Sequence, residues 1–145
     1  MYETILLPTD GSENAQLATE RAIDTAARHD ATLHVQYVVE MTQEDPTQTS
    51  PEEKLTKERK EGEDVIEAVE QQATEAGVET GTNIERGVPR TTIEEYAGEY
   101  DIDLITISST GASGVSEKLL GTVAKYIVNE APADVLIVRH DEMIG

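Results

Sequence analysis

The chain has 145 residues, 37% of them hydrophobic, and a formal net charge of −19 from 30 acidic against 11 basic side chains. That length and apolar content suit one domain, residues 1–145, with one core. The charge argues against nucleic acid as a partner, because binding there needs Lys and Arg to displace counterions from phosphates.

Cysteine is absent, which excludes a disulfide frame, a thiol nucleophile and a Cys-based zinc site. No apolar run approaches the roughly 18 residues of a membrane span, and the N-terminus lacks a basic, apolar leader, so no membrane association and a cytoplasmic address are expected. The five Tyr, with no Phe and no Trp, leave an aliphatic core of the kind that parallel sheets use. So large a negative charge repels itself in dilute buffer and is screened by salt. It reads as a surface adapted to high salt; the alternative is an ordinary acidic protein with soluble helices.

In chain order, Tyr2 to Pro8 holds Ile5-Leu6-Leu7, a short apolar run ended by proline, which predicts a buried strand. Thr9-Asp10-Gly11-Ser12 is a loop, with Ser12 as N-cap of a helix through about Arg28 whose inner side carries Ala15, Ala18, Ala22, Ile23 and Ala26. Thr32 to Val39 reads as a second strand. Met41 to Ser50 is polar, contains Pro46 and has no period, so it is a long loop, a lid or a disordered segment. Ser50-Pro51-Glu52-Glu53 forms a capping box with proline at the first helical position. The helix that follows keeps Leu55, Gly62, Ile66, Val69, Ala73 and Ala76 on one side if Arg59 fills the missing step, and Gly77 stops it. Its acidic run, Glu52 to Glu75, reads as a solvated face.

Val78 to Arg86 alternates, as an edge strand with one wet face does. After Gly87-Val88-Pro89 turns the chain, Thr91 or Thr92 opens a short helix carrying Ile93, Tyr96 and Ala97. Asp103 to Ser108 is the fourth strand, Leu119 to Asn129 the fourth helix and Ala133 to Arg139 the fifth strand. Strand–helix alternation along the whole chain predicts an α/β fold with a parallel sheet covered on both faces.

The stretch that follows the fourth strand, Ser108-Ser109-Thr110 and then Gly111-Ala112-Ser113-Gly114, has the composition of a phosphate cradle. Glycines let the backbone approach an anion closely, and N–H groups of a loop and first helical turn point at it. Two glycines three apart are equally a plain turn. In doubly wound sheets ligands sit beyond the strands' carboxyl ends, where the strand order reverses. If the first and fourth strands are neighbours there, Asp10 and the Gly111–Gly114 loop flank one crevice, a carboxylate for ribose hydroxyls and glycines for phosphates.

Along essentially its full length the chain resembles the universal stress protein family. The resemblance rests on Ile5-Leu6-Leu7-Pro8-Thr9-Asp10-Gly11-Ser12, Gly87-Val88-Pro89, Gly111-Ala112-Ser113-Gly114, Leu119-Leu120-Gly121-Thr122-Val123-Ala124 and Ala131-Pro132-Ala133-Asp134-Val135-Leu136-Ile137-Val138. It implies a Rossmann-like three-layer sandwich of the adenine nucleotide alpha hydrolase type, with five parallel strands in the order 3-2-1-4-5. In the family's nucleotide-binding branch it also implies one ATP, or AMP or ADP, with Mg²⁺ or Mn²⁺. By that resemblance Pro8, Thr9 and Asp10 would line the adenosine, with Asp10 on the ribose, and Val38 would touch adenine. Gly111, Ala112, Ser113 and Gly114 would wrap the phosphates from one side, with Gly121, Thr122 and Val123 on the other and Thr110 in the lining. Homodimers would form through the last strand, Val135 to Val138.

One departure stands out. The binding branch follows Gly-x-x-Gly with nine residues and then Gly-Ser or Gly-Thr, whereas six residues, Val115 to Leu120, separate Gly114 from Gly121 here. Three fewer is just under one helical turn, so both glycines keep their facing around a tighter loop.

Asp10 is alternatively a capping residue beside Ser12, and Ser113 and Thr122 are alternatively helix-start caps. His29, His34 and His140 lack metal spacing, and His34 reads as a satisfied sheet residue. Lys118 either reaches a phosphate or is solvated; Lys125 is the other lysine near the loop. No catalytic base, nucleophile or arginine finger is evident, and no Gly-x-x-x-x-Gly-Lys-Ser/Thr motif occurs. The expected function is therefore a nucleotide-binding stress-response regulator without efficient catalysis. The alternatives are a non-nucleotide dimeric interaction module and a slow ATPase or autophosphorylating enzyme.

Overall fold

The first apolar run forms the central strand of a parallel sheet. The computed structural model describes residues 1–40, 51–110 and 121–139, with side chains of the second helix from Leu55 onward. Its elements are β1 (Thr4–Pro8), α1 (Glu13–His29), β2 (Thr32–Glu40), α2 (Pro51–Glu75), β3 (Thr80–Gly87), α3 (Pro89–Glu99), β4 (Leu104–Ser108), α4 (Thr122–Glu130) and β5 (Asp134–Val138). The five strands lie in the order β3-β2-β1-β4-β5 and every pair is parallel, the expected order 3-2-1-4-5.

Alternation along β1 builds both faces of the three-layer sandwich. Ile5 and Leu7 pack with Ala18 and Ala22 of α1 and Ile66 and Val69 of α2. Leu6, pointing the other way, packs with Ile93 and Tyr96 of α3 and Ile127 of α4. All three β1 side chains are fully buried, each worth about 1.5–3 kcal/mol relative to exposure. The helices end for local reasons. At the end of α2, Gly77 takes φ +75°, and the N–H groups of Val78 and Gly77 donate to the Ala73 and Thr74 carbonyls at 2.9 and 3.0 Å, a Schellman stop. Asp30 and Asp101 take φ 57° and 51° just beyond α1 and α3.

Some boundaries differ from the sequence pattern. Tyr2 and Glu3 precede β1, and Ala133 and Arg139 flank β5 rather than extending it. Val78 is buried but lies outside β3, its side chain closing the cluster under α2. The third helix opens at Pro89, ahead of Thr91, because proline's fixed φ suits the first helical turn. On α2 the inward step falls on half-buried Glu58, while Arg59 and Ala76 are exposed. The fourth helix is described from Thr122; its expected start at Leu119, the Met41–Ser50 loop and the capping box at Ser50 lie outside the described residues.

Candidate functional site

The sheet order puts β1 beside β4 at its centre, with α1 leaving β1 toward one face and α4 leaving β4 toward the other. Their carboxyl ends diverge into a crevice of about 410 Å³, the place where doubly wound sheets hold ligands. Its first wall is Pro8, Thr9 and Asp10 of the β1 exit together with Val38 and Glu40 of β2. Its second wall is Ser108, Ser109 and Thr110 of the β4 exit with Gly121, Thr122 and Val123 at the start of α4. Ile93, Ile107 and Pro89 make an apolar floor between them.

Hydrogen bonds pin both walls. The Thr9 N–H donates to the Gln36 carbonyl at 2.9 Å, continuing the β1–β2 ladder past Pro8. Ser109 N–H donates to the Val138 carbonyl at 2.9 Å, and Gly121 N–H to the Ser109 carbonyl at 2.7 Å, so the chain re-enters α4 directly against the end of β4. Gly121 is the N-cap of α4, and having no side chain it leaves that helix start without a side-chain cap of its own. A Cβ there would stand 3.3 Å from the Ser109 carbonyl oxygen. From the first turn of α1, Asn14 donates from Nδ2 to Thr110 Oγ1 at 3.2 Å.

Asp10 has a local role: its Oδ1 accepts from the Ser12 N–H at 2.9 Å, while the helix cap proper is Ser12 Oγ, accepting from Ala15 N–H at 3.2 Å. Gly11 between them takes φ +78°, and a Cβ on it would lie 2.6 Å from Val65 Cγ2, so the loop is pressed against α2. The rim is acidic. Burial first, then the carboxylates of Glu61, Glu58, Asp10 and Glu40, push the Tyr37 phenol above its ordinary range. The crevice is lined by no Lys, Arg or His among the described residues.

Three buried side-chain oxygens have no hydrogen-bond partner among the described residues: Gln36 Oε1, Ser109 Oγ and Thr106 Oγ1. The first two belong to residues of the crevice wall. An orphaned buried polar atom costs about 1–3 kcal/mol, so two around one crevice call for an explanation.

Of the residues the sequence singles out, Pro8, Thr9, Asp10, Val38, Thr110, Gly121, Thr122 and Val123 all line this crevice. Gly111, Ala112, Ser113, Gly114, Lys118 and His140 lie outside the described residues. Lys125 is exposed on α4 and is absent from the crevice. His34 is satisfied, its Nδ1 lying 2.8 Å from the Tyr96 hydroxyl, and burial lowers its pKa. Gln36, Glu40 and Asn14 were not singled out; the β2–β3 register, which seats Gln36 beside Asn83, is what marks Gln36.

A doubly wound α/β sheet with a hydroxyl- and glycine-lined crevice at its switch point has the architecture of a nucleotide-binding fold. The universal stress protein family model matches residues 1–139, and the chain belongs to that family. It is 35% identical to a universal stress protein of Methanocaldococcus jannaschii, over 96% of this chain and 83% of that one. Among solved structures it is similar to the universal stress protein UspA from Lactobacillus plantarum, with 32% identity, TM-score 0.83, and 95% and 98% of the two chains covered. A universal stress protein in complex with cAMP is 25% identical, with TM-score 0.71 and 95% and 97% coverage.

Proposed function

We propose that this universal stress protein is a nucleotide-binding stress-response regulator whose crevice holds an adenine nucleotide. The observation that carries the reading is the single crevice shared by the β1 and β4 exits, which sets apolar residues opposite hydroxyls and a helix start. Val38, Pro89, Ile93 and Ile107 suit the faces of a planar base. Thr9 and Asp10 sit where ribose hydroxyls would bond, and the α4 start with Ser109, Thr110 and Thr122 offers donors to phosphate. The family relationship and the cAMP complex of a 25% identical member support the same ligand class.

The phosphates are those of ATP, ADP or AMP. Asp10 and Glu40 on the rim, with no cation in the described lining, make a divalent ion (Mg²⁺ or Mn²⁺) the natural companion of a polyphosphate, since such ions are held largely by phosphates and one or two carboxylates. Binding would order the crevice loops and bias the protein toward the form its partners read. A second copy of the chain would pair along β5, an edge strand whose Val135, Leu136 and Ile137 are only half-buried.

Isothermal titration with ATP, with and without Mg²⁺, in molar KCl tests the reading. Saturable heat below millimolar nucleotide, strengthened by Mg²⁺ for ATP, is expected; no heat at millimolar nucleotide refutes it.

A further inference from the structure

A glutamine in the middle of a buried parallel strand is an expensive choice. Gln36 is 0% exposed on β2, between His34 and Val38 on the face that α3 covers. An aliphatic side chain would fill that space without desolvating an amide. Half of the amide is compensated: Gln36 Nε2 donates to Asn83 Oδ1 of the neighbouring strand at 3.1 Å, in the register that sets Gln36 against Asn83. The other half is not. Among the described residues Oε1 has no partner, although Gln36 lines the crevice next to the apolar slot of Val38, Ile93 and Ile107.

We infer that Gln36 is a specificity-determining residue that reads the amino group of the bound base; the inference rests on the adenine-nucleotide reading of the crevice. A lone acceptor in the wall of a slot for a planar base is matched by an N–H donor on that base's edge, which adenine carries as its exocyclic amine. A purine lacking the amine leaves Oε1 orphaned, and a site built around a hydrogen bond rejects the ligand that cannot make it. Asn83 acts as the positioning residue. An amide can turn over and present either end; with Nε2 bonded to Asn83 Oδ1, the end left for a ligand is Oε1.

The test is paired equilibrium titration of AMP and of purine riboside 5′-monophosphate, identical except for the 6-amino group, on the wild type, Gln36→Leu, Gln36→Met and Asn83→Asp. The wild type is expected to favour AMP about tenfold. Gln36→Leu and the similarly shaped Gln36→Met bring the two ligands within about twofold of each other, because neither leaves an acceptor to satisfy. Asn83→Asp, which offers only acceptors to Nε2, keeps the wild-type preference. Equal affinities in the wild type, or a preference that survives both Gln36 substitutions, overturn the role of Gln36 while leaving nucleotide binding intact. Binding of neither ligand to the wild type defeats the adenine-nucleotide reading itself and this inference with it.

Discussion

Asn14, in the first turn of α1, donates from Nδ2 to Oγ1 of Thr110 just beyond β4, at 3.2 Å and across 96 positions of sequence. Thr110 is 2% exposed and Asn14 half-buried, and the bond ties the first turn of α1 to the β4 exit. Asn14→Ala should cost about 1 kcal/mol of stability, the usual net worth of such a bond. It should also weaken nucleotide binding, because the wall carrying Thr110 loses its anchor. Urea unfolding and titration of the same variant measure both; an unchanged affinity would make the bond a purely structural one.

Gly11 is fixed twice over. Its φ of +78° is open to glycine, and a Cβ would meet Val65 Cγ2 at 2.6 Å. Gly11→Ala should therefore destabilise by about 1–3 kcal/mol. Adding Val65→Ala should recover the steric share and leave the backbone share. A double-mutant cycle from denaturation midpoints separates the two, and a coupling energy of zero would mean that the loop simply moves away.

Gly121 caps α4 with its backbone alone. Alanine is a poor N-cap, and its Cβ would sit 3.3 Å from the Ser109 carbonyl. Gly121→Ala should lower stability by about 1 kcal/mol, and Gly121→Val should go further and cut nucleotide affinity by narrowing the crevice. Both outcomes are read by thermal melts and titration.

Asp103 supplies the pH dependence. Backbone N–H groups of Glu3 and Thr4, at 2.8 and 2.9 Å, hold its carboxyl below the ordinary value of 3.8. A depressed carboxylate contributes stability that is present above the unfolded value and is lost as pH falls through the lower folded one. The stability gap between wild type and Asp103→Asn should thus be widest near neutrality and close below pH 3.8. Urea titrations across that range check it. A gap independent of pH would assign the effect to shape rather than charge.

The sequence carried the sheet because its strands announce themselves: Ile5-Leu6-Leu7 ends in Pro8 and Leu104–Ile107 ends in Ser108, so both exits, and with them most of the crevice, were legible. The order of the strands came from the family likeness, not from the pattern. Gln36 was not legible as a site residue. A polar residue within an alternating strand reads as outward-facing, and only the cover of α3 and the partnership with Asn83 make it buried. The inward role of Glu58 over Arg59 was hidden for a similar reason, since both continue a three-or-four spacing and the choice depends on how α2 rolls on the sheet.

The charge of −19 makes a separate claim. Self-repulsion falls as ions screen it, the Debye length shrinking from about 10 Å at 0.1 M to about 3 Å at 1 M. We propose adaptation to a salty interior, and the melting temperature should then rise steadily from dilute buffer into molar KCl. A flat profile would leave an ordinary acidic surface.

The most direct check of the shared crevice is the amide NMR spectrum recorded as AMP is added. Shifts gathered at Thr9, Val38, Ser109, Gly121 and Thr122, with Asp30 and Gly77 at the opposite end of the strands unmoved, are the predicted result. Shifts confined to one wall, or centred away from both the β1 and β4 exits, would contradict it.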